Sequence, residues 1–189
     1  MTDIVLASAS PRRRDLLTGL GLKLRLQPAD IDETTLPDEQ PAALVARLAA
    51  GKASRAAADH GSSLVIAADT VVVLGGQILG KPRDEAENGD YIARLAGVTH
   101  EVYTGHAIRL EGRGEDFVVR TAVTFRPLAA DEVANYAATG EGLDKAGGYA
   151  IQGRGAALVE RIEGCYSNVV GLSLPALVTA ARRLGVALV

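Results

Sequence analysis

Five short stretches of the chain concentrate residues able to do chemistry. The first is Ser8-Ala9-Ser10-Pro11-Arg12-Arg13-Arg14. Ser10 before Pro11 has the form of an N-cap followed by the first helical position, where the missing proline amide is no loss. A strand running into such a helix gathers free backbone amides at a positive helix end, a ready seat for an anion. Ser8 adds a hydroxyl, and Arg12 and Arg13 add guanidinium forks that match phosphate oxygens. Helical neighbours point about 100° apart, which assigns Arg12 and Arg13 to the site and Arg14 to solvent. The alternative is a basic helix start on the surface. Three cations at a positive helix end are unfavourable without a compensating anion, which favours the anion seat.

The second stretch is acidic, with Asp30, Asp32, Glu33, Asp38 and Glu39. Such a run is either a solvated loop or the source of one or two oxygen ligands for a divalent cation. The third is AADTVV, where Asp69 and Thr70 interrupt an otherwise apolar run from Leu64 to Val73. A buried unpaired carboxylate is costly, so Asp69 is expected at a strand end, paired or bound to metal. A plain strand-end aspartate is the other possibility. The fourth, Gly80-Lys81-Pro82, is a rigid turn presenting one lysine. It is no P-loop, because GxxxxGK[ST] is absent. Lys52 is an equal candidate for a phosphate contact but has no local signature, and by itself it reads as a surface lysine. The fifth is GEGLDKAGGYAIQGRG, whose glycines surround Asp144, Lys145 and Gln152. It makes either a close backbone approach to a ligand or a set of tight loops. The Gln152 amide can both donate and accept, enough to read a base edge. Cys165 has no histidine near it in sequence, and no GxSxG elbow exists, so a nucleophilic mechanism is disfavoured.

These residues need elements to position them. Ile4 to Ala7 predicts a short strand before the helix that starts at Ser10-Pro11. Leu16, Leu17 and Leu20 give that helix an apolar face, and Gly19 and Gly21 end it. Period-two alternation from Leu22 to Gln27 predicts a second strand. Beyond the acidic loop, Pro41 opens a long helix with Leu44, Val45 and Leu48 on one side and Lys52 further along. SSLVIAADTVVVLGGQIL predicts a buried strand, a polar break at Asp69-Thr70 and another strand turned at Gly75-Gly76. A helix is expected over residues 84–95. EVYTGHAIRL and DFVVRTAVTFRPL alternate on either side of a Gly-rich turn and form the clearest hairpin. A short helix over 130–138, a strand over 157–162 and a last helix from Ser173 and Pro175 through Arg183 complete the expectation. Helices and strands intermix around an antiparallel centre, so the class is α/β with a mixed sheet. No repeat and no long linker divides the chain, and a single domain over residues 1–189 is expected.

Composition bounds the function. With 189 residues the chain can bury roughly 70% of its unfolded surface and needs no disulfide or structural metal to fold. Lys plus Arg count 20 against 23 for Asp plus Glu, a net charge of −3, which disfavours a nucleic-acid polymer as partner and allows a local basic pocket. One cysteine excludes a disulfide framework within the chain and a multi-cysteine metal site. Three histidines show no HExxH spacing. Two Phe and five Tyr, with no Trp, are too few for a base-stacking platform and point to an aliphatic core. No apolar run approaches the ~20 residues of a membrane-spanning helix. In MTDIVLASASPRRR the charge follows the apolar run, the reverse of a secretory signal, so a cytoplasmic protein without a membrane partner is expected.

Taken together, LASASPRRRDLL, AADTVVVLGGQILGKPRD, THEVYTG and GEGLDKAGGYAIQGRGAALVERIEGCYSNVVGL resemble the Maf family of nucleoside triphosphate pyrophosphatases, in order and over nearly the whole chain. Ala68-Asp69-Thr70, GEGLDKAG and the IQG containing Gln152 resemble the branch acting on dTTP and UTP rather than the branch preferring 7-methyl-GTP. The resemblance implies a Maf/ITPase-like α/β fold, with a mixed twisted β-sheet and flanking helices in two lobes around a central cleft. It also implies a homodimer. The implied reaction is hydrolysis of a nucleoside triphosphate substrate between its α and β phosphates, with a divalent metal cation (Mg²⁺, Mn²⁺ or Co²⁺). Ser8, Arg12 and Arg13 fall on the opening phosphate-binding motif, Glu33 on the acidic residue of the first lobe and Lys52 on the helix lysine. Asp69 falls on the catalytic aspartate with Thr70 beside it, Lys81 on the GKP lysine and Gln152 on the glutamine that helps select the pyrimidine. Gly142 stands where the family often has proline, and Cys165 where serine is common. The first exchange is expected to loosen the substrate loop without removing a chemical group.

On this reading Asp69 is a general base or a metal ligand orienting the attacking water, and Glu33 helps hold the cation. The cation, Arg12, Arg13, Lys52 and Lys81 then stabilise charge on the phosphates. Two alternatives differ in kind. One is a broader pyrophosphatase for modified or non-canonical nucleotides. The other is a nucleotide-binding regulator of septum formation or cell division, which the intact set of Glu33, Lys52, Asp69 and Lys81 disfavours.

Overall fold

Proline and capping side chains set the helix starts. A computed structural model describes residues 2–189. In chain order it contains β1 (Ile4–Leu6), α1 (Pro11–Thr18), β2 (Leu24–Leu26), α2 (Pro41–Ala57), β3 (Leu64–Leu74), β4 (Gln77–Leu79), α3 (Glu85–Leu95), β5 (Thr99–Leu110) and β6 (Arg113–Phe125). There follow α4 (Ala130–Ala137), 3-10 turns at Ala146–Gly148 and Gly153–Leu158, β7 (Val159–Glu163), α5 (Tyr166–Val170) and α6 (Leu174–Arg183). Pro11 and Pro41 open α1 and α2, where no amide partner is required. Ser10 Oγ accepts the Arg13 amide at 3.4 Å, and Asp84 Oδ1 accepts the Glu87 amide at 2.8 Å to cap α3.

The strands form a mixed sheet in the order β2-β1-β3-β5-β6-β7, with β4 paired to β3 off this path. β1 runs parallel to both β2 and β3, whereas β4 on β3 and β7 on β6 are antiparallel. Helices flank this sheet, as the intermixed pattern requires. Among the elements, two expectations need correction and one helix was not expected. β3 runs unbroken from Leu64 to Leu74, with no break at Asp69-Thr70. A strand ladder uses main-chain groups only, and a charged side chain does not interrupt it when that side chain finds a partner. The strand expected over 157–162 begins at Val159, because Gly153–Leu158 winds as a 3-10 turn. The five-residue α5 is too short for its period to show in the sequence.

The chain divides into two compact units, one made of Met1–Asp69, Thr104–Val119 and Gly171–Val189, the other of Thr70–Tyr103 and Arg120–Val170. In the first unit the alternation of strand side chains separates two apolar faces. Ile4, Leu6, Leu64, Ile66, Ala68 and Ile108 pack with Leu17 of α1 and with Leu177, Ala180 and Ala181 of α6. Val5, Ala7, Val65, Ala67 and Ala107 face the other way and meet Ala49, Ala53 and Ala56 of α2. The small side chains let α2 lie close to the strands. At Gly105 the approach is tight enough that a Cβ would stand 2.1 Å from the Val45 carbonyl oxygen. No side chain fits there without moving α2.

The second unit departs from the aliphatic expectation. His100, Phe125 and Tyr149 meet edge to face, with centroids 4.7–5.3 Å apart, and His100 Nε2 bonds the Tyr149 hydroxyl at 2.7 Å. Around this centre the glycine-rich segment folds back on itself. Asn88 Nδ2 donates to the Gly148 carbonyl at 2.7 Å, and a Cβ on Gly142 would lie 1.8 Å from that same oxygen. Gly142 thus lets two stretches of backbone touch.

Candidate active site

The alternation that puts Val65 and Ala67 against α2 also turns Asp69 to that side, toward a helix carrying one buried lysine. Lys52 Nζ donates to Asp69 Oδ1 at 2.6 Å and pairs with Glu33 Oε1 at 2.7 Å. The Lys52 and Asp69 side chains are 11% and 14% exposed and that of Glu33 is 59%, so the ammonium is buried on the strand side and open toward the loop. Asp69 is paired, as expected, but it lies within β3 and not at its end. The same alternation turns Thr70 to the opposite face of the strand from Asp69.

Glu33 is held by its neighbours. Ile31 packs on α2 beside Lys52, its Cδ1 3.1 Å from where a Cβ on Gly51 would stand. Asp32 Oδ1 accepts the Thr34 amide at 2.9 Å, and the Thr34 hydroxyl, followed by this amide, holds the Asp32 carboxyl below the usual range. Arg47 of α2 grips Glu39 with two bonds of 2.6 and 2.7 Å and donates to the Thr34 carbonyl at 3.0 Å. That fork pulls the Glu39 pKa down to about 2. Of the five acids in this run, Asp32 and Glu39 shape the loop and Glu33 is the one that meets Lys52. Arg47 was not among the expected site residues, and its position on α2 five residues before Lys52 is the only sequence trace of its task.

The start of α1 builds the basic part. Ser8 is buried, and its Oγ accepts from the Ser10 amide at 3.2 Å and from Arg13 Nη1 at 3.1 Å. Arg13 Nε donates to the Gly171 carbonyl at 2.8 Å, so its guanidinium is fixed at two edges. Desolvation lowers the Arg13 pKa from its usual value, Asp69 opposes this, Arg12 adds to it and Glu33 opposes it. The phosphate-type motif and the Glu33–Lys52–Asp69 triad therefore share one electrostatic neighbourhood within the first unit. Arg14 turns away and bonds Asp15 at 3.0 Å on the exposed side.

Lys81 and Gln152 belong to the second unit, and both are exposed. The GKP turn and the glycine-rich segment are tied together by the Gly147 amide, which donates to the Gly80 carbonyl at 3.0 Å. Gln152 stands just before a 3-10 turn whose first amides are collected by one carboxylate. Glu141 accepts from Arg154 at 2.9 Å and from Gly155 at 2.8 Å. Lys145 turns inward to the Glu141 carbonyl and to Asp144. Cys165 Sγ lies 3.2 Å from the Ser167 hydroxyl. Glu141 was missed in the sequence because a carboxylate among glycines has no period to mark it.

The chain matches the family model described as Maf-like protein over residues 3–184. It belongs to the Maf family. Among its relatives, the dTTP/UTP pyrophosphatase of Myxococcus xanthus is 52% identical, covering 99% of this chain and 95% of the relative. That of Moorella thermoacetica is 54% identical over 92% and 91% of the two chains. That of Deinococcus radiodurans is 48% identical over 97% and 93%.

Maf membership supports a metal-dependent mechanism. Among the described residues no three His, Cys, Asp or Glu side chains converge on one point. The two carboxylates that meet at Lys52 are nevertheless hard oxygen donors. They match the one or two that an Mg²⁺-type ion takes from protein when phosphates and waters complete its shell. The donor set of this Maf chain fits such an ion. No helix among the described residues is long and apolar enough to cross a membrane.

Proposed function

We propose that this Maf protein hydrolyses dTTP and UTP to the monophosphate and pyrophosphate by opening the α–β phosphoanhydride. The observation that carries this is the Lys52 ammonium set between Asp69 Oδ1 at 2.6 Å and Glu33 Oε1 at 2.7 Å. Two carboxylates and a lysine beside a serine-arginine motif make a site for a metal-bound polyphosphate. The names of the relatives supply the nucleotides. Glu33 and Asp69 would hold the cation, Mg²⁺, Mn²⁺ or Co²⁺, which when bound neutralises phosphate charge and activates water. Lys52 occupies Asp69 Oδ1, which leaves Oδ2 either to hold the cation that would orient the attacking water or to receive the water's proton as a general base. Ser8, Arg12 and Arg13 bind phosphate oxygens, with the fork of Arg13 prepositioned by Ser8 and Gly171. Lys81 supports the departing pyrophosphate, and Thr70 and Gln152 contact the nucleoside, Gln152 reading the pyrimidine edge. A cytoplasmic homodimer in which both units of each chain act as one domain completes the reading.

The test is pyrophosphate release from a panel of canonical, methylated and deaminated nucleoside triphosphates, with and without divalent metal. Metal-stimulated release that is fastest with dTTP and UTP is expected. Orthophosphate as the product, or faster turnover of purine or modified nucleotides, overturns the assignment. Light scattering of the purified chain reads the dimer independently.

A further inference from the structure

His106 of β5 is fully buried, and nothing in the proposed chemistry uses it. Its ring stacks on Phe117 of β6, with centroids 4.6 Å apart and planes 8° from parallel. Its Nε2 accepts the backbone amide of Ser173 at 2.8 Å. Ser173 caps the start of α6 without using its own side chain, and it lies two residues past Gly171. The Gly171 carbonyl receives Arg13 Nε at 2.8 Å, and Arg13 Nη1 reaches Ser8 Oγ at 3.1 Å. One line of hydrogen bonds and three residues of main chain thus join a buried imidazole to the serine-arginine motif. All of these residues lie in the first unit.

We propose that His106 is a positioning residue for nucleotide binding: its Nε2 acceptor fixes the Gly171–Ser173 main chain, and that main chain aims the Arg13 fork at a phosphate oxygen. The task suits histidine. A flat ring clamped on Phe117 presents an acceptor at a fixed point, with no rotatable chain between the clamp and the acceptor. Burial, reinforced by the charge of Arg13, pulls the ring's pKa down to about 4, which keeps it neutral and Nε2 an acceptor. The inference rests on the phosphate-binding role proposed for Arg13.

The experiment is a double-mutant cycle between His106→Leu and Arg13→Ala, with His106→Gln as the variant that keeps an acceptor. Two readouts are taken on each protein. One is KM and kcat for metal-dependent pyrophosphate release from dTTP. The other is the calorimetric affinity for a dTTP analogue with a non-hydrolysable α–β bridge. Losing one aimed hydrogen bond should raise KM and weaken analogue binding about five-fold in His106→Leu, with kcat changed less than about two-fold. His106→Gln should stay within about two-fold of the parent, and His106→Leu should add less than about two-fold in the Arg13→Ala background. Equal effects with and without Arg13, or glutamine no better than leucine, overturns the proposal. His106→Met replaces the leucine variant in the same cycle if that protein does not fold. A parent that binds the analogue without hydrolysing dTTP disproves the hydrolytic reading and leaves the cycle readable by affinity. An Arg13→Ala protein with undiminished affinity removes the role of Arg13, and that of His106 with it.

Discussion

Lys52 Nζ lies 2.6 Å from Asp69 Oδ1, a helix lysine joined to a strand aspartate where the alanine face of α2 meets β3. Both side chains are mostly withdrawn from water, and neither would be stable there alone. Pairing sets the direction of each. The aspartate is turned by its ammonium partner, and the ammonium keeps donors for a second acid and for an incoming anion.

Asp69→Asn keeps the shape and a hydrogen-bond partner for the strand but removes the charge that faces water and cation. Turnover of dTTP is expected to fall at least ~100-fold, with the thermal transition preserved. Lys52→Met deprives two carboxylates of their shared counter-charge and should lower stability by about 2 kcal/mol as well as turnover. Denaturant titration and steady-state pyrophosphate release separate the two effects. Near-normal turnover in Asp69→Asn would sink the catalytic assignment.

Arg47 makes no ion pair with the triad, yet it holds the loop that carries Glu33 at two points, Glu39 and the Thr34 carbonyl next to Glu33. Arg47→Lys retains the charge and loses the two-pronged geometry. The metal concentration for half-maximal activity should rise about five-fold while kcat at saturating metal changes little. An unchanged metal dependence would mean that Glu33 is placed without the clamp.

Gly142→Ala asks whether the glycine-rich segment depends on backbone contact. The added Cβ would stand 1.8 Å from the Gly148 carbonyl oxygen, so Gly148 or Asn88 has to move. A drop in stability of about 2 kcal/mol is expected. A smaller rate preference for dTTP over purine triphosphates should accompany it, because Gln152 sits on the displaced segment. Hydrogen exchange of amides 140–155 reports the same movement directly. Stability and preference both unchanged would show that the segment adapts without consequence.

The helix starts are legible in the sequence because Ser10-Pro11 and Pro41 suit little else, and the hairpin because its alternation is long. The basic motif is legible for the same reason, since its parts are consecutive. The three residues of the triad are reached only through the family resemblance, and their mutual contact is not legible. By itself Lys52 shows in the sequence as a cation on an amphipathic helix, and its partners come from a strand and a loop that only the packing of α2 brings near. Asp69 misleads further. A charge inside an apolar run suggests a break, whereas β3 continues because the cost falls on the side chain and Lys52 offsets it. Arg47, Glu141 and His106 act on main-chain carbonyls, amides or loop carboxylates, and such partners leave no pattern of residue types to detect.

His100 and His106 make folding sensitive to mild acid. Burial lowers each pKa from 6.5 to about 4 in the folded chain. Between those values the unfolded chain binds more protons, so stability rises with pH there and is lost as pH falls from about 6.5 toward 4. Both rings are almost wholly enclosed, and each shift corresponds to about 3 kcal/mol at most. The depressed carboxyls of Glu39 and Glu132 act in a lower window. Their contribution is present above about pH 4.5 and fades toward pH 2, leaving the upper window to the histidines. Denaturant midpoints measured from pH 7.5 to pH 5 should therefore fall steadily. His100→Gln or His106→Gln should each remove about half of that slope, because glutamine has no proton to take up. A slope untouched by either substitution would show that the rings are not the groups that titrate.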